Sequence, residues 1–115
     1  MRVSFTGIGE TVVTFESDKK LEVGTLVNVA ESGKVAAAKE NEKFVGIVVN
    51  AAEHEASVQI KGYVKVKFEG TIEATALGCC NMCLGKEGKL KLSEKGREVL
   101  LLDINTENSE IGIFM

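Results

Sequence analysis

Five consecutive residues, Cys79-Cys80-Asn81-Met82-Cys83, hold all three cysteines of the chain and contain the Cys-x-x-Cys spacing of metal sites and redox dithiols. Structural zinc wants four ligands, usually as two pairs. Here the pool is three thiols and one histidine, His54, with no second Cys-x-x-Cys. A redox dithiol is normally activated at a helix N-terminus, yet strand-like residues flank this segment on both sides. On a strand, Cys79, Asn81 and Cys83 share one face, and Cys80, Met82 and Leu84 share the other. Cysteine packs as a small hydrophobe and is among the most buried residue types. The segment therefore reads as structural thiols, with metal or thiol chemistry through Cys79, Cys80 and Cys83 as the alternative.

Other chemistry-bearing residues stand more alone. His54 lies between Glu53 and Glu55, which suggests general acid–base work, but no nucleophile accompanies it at a recognisable spacing. It reads as a surface histidine in a polar loop. Gly7-Ile8-Gly9-Glu10 begins like a dinucleotide fingerprint, yet it lacks the third glycine and precedes a strand instead of a helix. Lys65, Lys67, Lys89 and Lys91 are the outward halves of alternating strands and read as a solvated face that also protects strand edges. No catalytic, cofactor-binding or metal-ligating residue is assigned, and the chain reads as a non-enzyme that needs no cofactor.

The 115 residues suffice for one domain with a sizeable core. A net charge of −3, with Lys and Glu interspersed, leaves no basic stripe for phosphate contacts. One Tyr, no Trp and five Phe are too few for a base-stacking platform. Nucleic acid is therefore not an expected partner. The longest apolar run, residues 44–49, is too short to cross a bilayer, and residues 1–25 lack the pattern of a secretory signal. An odd number of cysteines fits a reducing compartment. The expectation is a soluble protein, neither secreted nor membrane-bound.

Short apolar runs set the architecture. Val64-Lys65-Val66-Lys67-Phe68 and Lys89-Leu90-Lys91-Leu92 alternate at period two, as half-buried strands do. Further runs fall at Val12-Val13, 26–29, 44–49, Val58/Ile60, Ile72/Ala74/Ala76, 99–104 and Ile111/Ile113. Turn signals such as Ser32-Gly33, Lys61-Gly62, Glu69-Gly70 and Glu87-Gly88 separate them at the spacing of small barrels and sandwiches. Two helix-favouring stretches, 36–40 and 51–56, are too short to stand alone and read as connections. The chain is expected to be all-β: one single-domain β-barrel or barrel-like sandwich over 1–115, with about seven to nine short strands and little or no helix. Residues 1–10 fit this pattern poorly and read as a flexible N-terminal arm.

One segment also recurs. Val23-Gly24, a strand-like run, a polar turn and Gly33-Lys34-Val35 return as Leu77-Gly78, the cysteine segment, a polar turn and Gly88-Lys89-Leu90. An apolar strand follows each copy, at 44–49 and 99–104. The copies differ by one residue, which is expected to lie in the turn, where insertions are tolerated best. The repeat places the cysteines where the first copy keeps ordinary strand residues.

The order of signals resembles a known family. Val23-Gly24, Gly33-Lys34-Val35, Phe44-Val45-Gly46-Ile47-Val48, then Gly62-Tyr63-Val64-Lys65-Val66 and Ile111-Gly112-Ile113 resemble the small β-barrel head-decoration, or capsid-stabilising, proteins of tailed bacteriophages and prophages. The match is best over residues 20–70. It departs from the family at Gly70-Thr71-Ile72, which lacks a usual proline, and at the cysteines. The resemblance implies a non-enzymatic structural protein of a phage or prophage particle. It would bind the phage major capsid protein and stabilise the assembled lattice, commonly as a trimer. Its place would be the virion, or the bacterial cytoplasm during assembly. A different β-barrel interaction module, such as a tail or adaptor component or a bacterial scaffold, is the alternative.

Overall fold

The computed structural model describes residues 9–115 and is all-β. The first five strands are β1 (Thr11–Glu16), β2 (Leu26–Glu31), β3 (Lys34–Ala37), β4 (Gly46–Ala51) and β5 (Glu55–Lys61). They close into a barrel in the order β1-β3-β2-β4-β5. The next five are β6 (Tyr63–Lys67), β7 (Gly78–Leu84), β8 (Leu90–Leu92), β9 (Arg97–Asn105) and β10 (Glu110–Phe114). They form a second sheet in the order β6-β10-β9-β7-β8. The only helical pieces among the described residues are single turns at Ala74–Ala76 and Lys86–Gly88. None is long or apolar enough to cross a membrane.

The two sheets are the same unit made twice. Read outward from its tight hairpin, the first runs β3-β2-β4-β5-β1 and the second β8-β7-β9-β10-β6. In both, the third strand of the copy pairs antiparallel with the first strand of the hairpin. In both, the unit's opening strand returns in parallel to the hairpin's second strand through one register pair. Glu16 meets Lys34 in the first unit, and Phe68, just after β6, meets Leu90 in the second. The repeat seen in the sequence is therefore the hairpin-plus-strand centre of each unit.

Glycine conformation marks the correspondence. Gly24 and Gly78 lead the two hairpins at φ of +94° and +98°, and Gly33 and Gly88 precede their second strands at +75° and +74°. That left-handed region costs an L side chain about 1–2 kcal/mol, so glycine recurs where the turn demands it. The register corrects one expectation. Val29 pairs Val35, and Leu84 pairs Leu90, so the connections between these pairs, 30–34 and 85–89, are equal in length, the first carrying a bulge and one further pair, Glu31↔Lys34. The extra residue of the second copy lies in the strand β7, which pairs β9 along five positions and accommodates the longer run.

Alternation delivers the interior as the sequence suggested in β6 but only in part in β8, where Leu90 is buried, Lys91 is half-buried and Leu92 is exposed. Val64, Val66 and Phe68 are buried while Lys65 and Lys67 face out. Leu21, Val27, Val35, Val48, Ala56 and Val58 fill the first barrel. The second unit's core gathers Met82, Leu84, Leu90, Val99, Leu101, Ile111 and Ile113, and Leu26 and Phe44 of the first unit enter that same cluster. Burying such side chains contributes about 1.5–3 kcal/mol each, so the shared cluster welds the units together. Ten strands form instead of seven to nine because pairing makes strands of segments without strong β-propensity. β3 includes Ala36 and Ala37, read from sequence as part of a connection, and the zipper to β2 holds them extended. Conversely, the run Ile72/Ala74/Ala76 is no strand: Ile72 is buried, and Ala74–Ala76 make a single turn. Most of the expected N-terminal arm, residues 1–8, lies outside the described residues. Of its last two residues, Gly9 sits against Phe114 and Glu10 against Gly62.

Two glycines separate the energetic reasons for glycine here. A Cβ on Gly96 would strike the main chain of Met82, whereas a Cβ on Gly88 meets nothing within 4 Å and carries only its positive φ. Gly96→Ala is expected to destabilise by about 3 kcal/mol or more through overpacking against β7. Gly88→Ala should lose only the left-handed term of about 1–2 kcal/mol. Urea denaturation of the two variants measures the difference, and equal losses would contradict the packing described.

Candidate functional site

The chain passes from the first unit to the second through one residue, Gly62, at φ +111°. The buried Gln59 secures this crossing: its Nε2 donates to the carbonyls of Lys61 (3.1 Å) and Tyr63 (3.4 Å), on either side of Gly62. Met115 N–H donates to the carbonyl of Gly62 itself. The buried amide thus has partners that make its burial tolerable.

Arg97 also joins the units. It opens β9, and its Nη1 donates to the Val45 carbonyl (2.9 Å) and its Nη2 to the Ile60 carbonyl (3.2 Å), both in the first unit. Its guanidinium carbon stands 5.5 Å from the centroid of the Phe44 ring, a cation–π distance. Partial burial lowers its pKa from the ordinary arginine value, but an arginine remains charged in a protein. The three ion pairs among the described residues are Lys34–Asp18, Lys34–Glu31 and Lys89–Glu87, so no carboxylate neutralises Arg97.

Beside this arginine lies a groove of about 530 Å³, lined from β1, β2, β5 and the segment 43–45. Phe15, Val29, Phe44, Val45 and Ile60 supply its apolar surface, and Lys43, Lys61 and Arg97 line it with positive charge. No Asp or Glu lines it, although the chain as a whole is acidic. Such a combination of apolar surface and few convergent polar groups is the usual form of a binding cleft. Chemically it can bind an apolar group next to an anion. Among the described residues its lining includes no Ser, Thr, Cys or His.

The residues singled out from sequence lie elsewhere and apart. Cys79 is exposed, Cys80 half-buried and Cys83 buried, all on β7 in the second unit. The expected sharing of faces is modified towards the end of β7, where Met82, Cys83 and Leu84 are all buried and so both faces are covered. The Cys83 thiol donates weakly to the Leu84 carbonyl at 3.7 Å. His54 is exposed in the turn between β4 and β5, in the first unit, where its carbonyl accepts the Ser17 N–H. No group of three or more His, Cys, Asp or Glu among the described residues is placed to hold a metal ion. Gly7 and Ile8 of the partial glycine motif lie outside the described residues, and Glu10 leads directly into β1. Lys67 caps the Asn108 carbonyl (2.8 Å), and Lys91 donates to Asn41 Oδ1 (2.6 Å).

Sequence reasoning missed Arg97, and the departure that marks it is visible only once the strand register is known. In the pairing, Arg97 stands opposite Met82 as Gly46 stands opposite Val27. A cation where the other copy has glycine marks a departure from the repeat. The chain matches no protein-family model and no curated protein sequence.

The thiols should report these environments. Burial, with the neighbouring Cys79, pushes the Cys80 thiol above its ordinary pKa, so less of it is thiolate at a given pH. Titration with a thiol reagent near pH 8 should label Cys79 first, Cys80 more slowly, and Cys83 only in denaturant. Simultaneous labelling of all three in native protein would contradict the placement of β7.

Proposed function

We propose that this chain is a non-enzymatic structural protein of a phage or prophage particle, a trimer that binds the major capsid protein and stabilises the assembled lattice. The observation that supports the reading best is the exterior of the all-β body. Large apolar side chains stand exposed on both units, and two occupy equivalent places. Val23 and Leu77, 68% and 47% exposed, each precede the left-handed glycine that leads a hairpin. The glycine turn and the strand behind it set the direction of each tip. A body that presents apolar tips from both of its units suits bridging between neighbouring subunits of a lattice. Stabilisation then follows by mass action: a protein that binds only the mature shell shifts the shell's equilibrium towards that state. Three-fold association multiplies a weak contact through effective concentration.

Light scattering of the purified chain and co-sedimentation with mature phage shells test the reading together. The expected results are a trimer in solution, retention on shells, and a raised shell melting temperature. Val23→Glu and Leu77→Glu, both at exposed positions, should leave the chain's own melting temperature unchanged and lower shell retention about tenfold, as loss of central apolar contacts does. A monomer that passes shells without retention would refute the proposal and favour another kind of interaction module.

A further inference from the structure

The two units differ in one place where their topology makes them equivalent. Pairing of β2 with β4 ends at Val27↔Gly46, and pairing of β7 with β9 ends at Met82↔Arg97. Two residues beyond each pair lie Val29 and Leu84, themselves matched by their partners Val35 and Leu90. At Leu84 the edge is filled. Asn41 N–H donates to the Leu84 carbonyl (2.7 Å), and Leu84 N–H donates to the Glu42 carbonyl (2.9 Å). The turn that delivers these groups is built for the purpose: Asn41 adopts φ +69°, Glu42 N–H closes on the Lys39 carbonyl, and the Glu42 carboxylate accepts the Lys39 N–H.

At Val29 no such segment lies on the corresponding edge among the described residues. Along β2 the Val27 carbonyl accepts the Val45 N–H, and main-chain groups alternate, so Val29 points its groups to the same side. There its N–H is held only by the side-chain oxygen of the preceding residue, Asn28 (2.9 Å). Val29 itself is 47% exposed. This edge opens onto the groove described above, where the cations are Lys43, Lys61 and Arg97 and no carboxylate lines the wall.

We propose that the β2 edge at Val29 receives an extended acidic segment of a partner protein by strand addition, as Asn41 and Glu42 fill the equivalent edge at Leu84. Main-chain hydrogen bonds to Val29 set the register, as in other strand-addition complexes. An apolar side chain of the segment enters between Phe15, Phe44 and Ile60, and its carboxylates face Lys43, Lys61 and Arg97. Asn28 acts as a placeholder that satisfies the Val29 N–H until the segment displaces it. The chain's own residues 1–8 carry Arg2 and no carboxylate, so they do not match the charge of the groove. The inference concerns the chemistry of one edge and holds whichever assembly the chain serves.

The test is a titration of the ¹⁵N-labelled full chain with a capped pentapeptide of alternating leucine and glutamate, followed by amide shifts. The Asn28 and Val29 amides should move and saturate. A lysine-for-glutamate peptide should bind about tenfold more weakly at low salt, and Lys43→Glu with Lys61→Glu, both exposed, should reverse that preference. A peptide N-methylated at its central residue should lose binding. Unmoved Val29 and Asn28 amides at millimolar peptide overturn the proposal, as does equal binding of the N-methylated peptide. So does a Val29 amide that already exchanges as slowly as Leu84 without peptide, which would mean residues 1–8 or a second copy hold the edge. None of these results depends on shell retention, so the two proposals can fail separately.

Discussion

Each five-stranded unit is held at its seam by a single register pair, and that shortfall of pairing organises this protein. In each unit the hairpin's first strand runs past the strand beside it, and the opening strand touches the hairpin's second strand at a single register pair. Each unit therefore ends with a length of unpaired edge and an open mouth. Unpaired main-chain groups are costly to bury and attract foreign strands when exposed. The first unit solves the second unit's problem by laying the 39–42 turn on Leu84. The favour is returned only in part: Arg97 crosses back to the carbonyls of Val45 and Ile60, and among the described residues no strand covers the edge at Val29.

The same shortfall explains how the units are joined. A unit of about fifty residues buries too little surface to be comfortably stable by itself. Leu26 and Phe44 of the first unit accordingly finish the core of the second. The crossing at Gly62 needs a residue without a side chain, because Gln59 and Glu10 press against that position. Gly46 and Gly112 serve close approach too: a Cβ on one would meet the Gln59 carbonyl, and on the other the Tyr63 ring. Glycine in this chain thus does two separate jobs. It turns hairpins at positive φ, and it lets main chain and ring come within contact elsewhere.

Much of the fold was legible in the sequence, because period-two alternation directly records which side chains face inward. Val64, Val66 and Phe68 are the clearest instance, and the paired glycines of the repeat disclosed the hairpins. The division into two equivalent units was only half visible. Strands β1 and β6, or β5 and β10, share topology without shared residues, since any aliphatic that fits a pleat will serve there. The groove was less legible still. Its surface is built from Phe15, Val29, Phe44 and Ile60, ordinary strand residues brought together by closure, and Arg97 carries no spacing signature. The cysteines drew the eye by residue type, yet β7 spreads them from exposed to buried instead of converging them on one point.

Of two matched edges, the chain itself fills one, at Leu84, and no described residue adds a strand to the other, at Val29. Scalar couplings transmitted through hydrogen bonds report that difference directly in solution. The account predicts couplings from the Asn41 amide nitrogen to the Leu84 carbonyl carbon and from the Leu84 nitrogen to that of Glu42, with none linking Val29 to a strand on its open side. Absence of the first two, or a strand coupling at Val29 in the free chain, would contradict it.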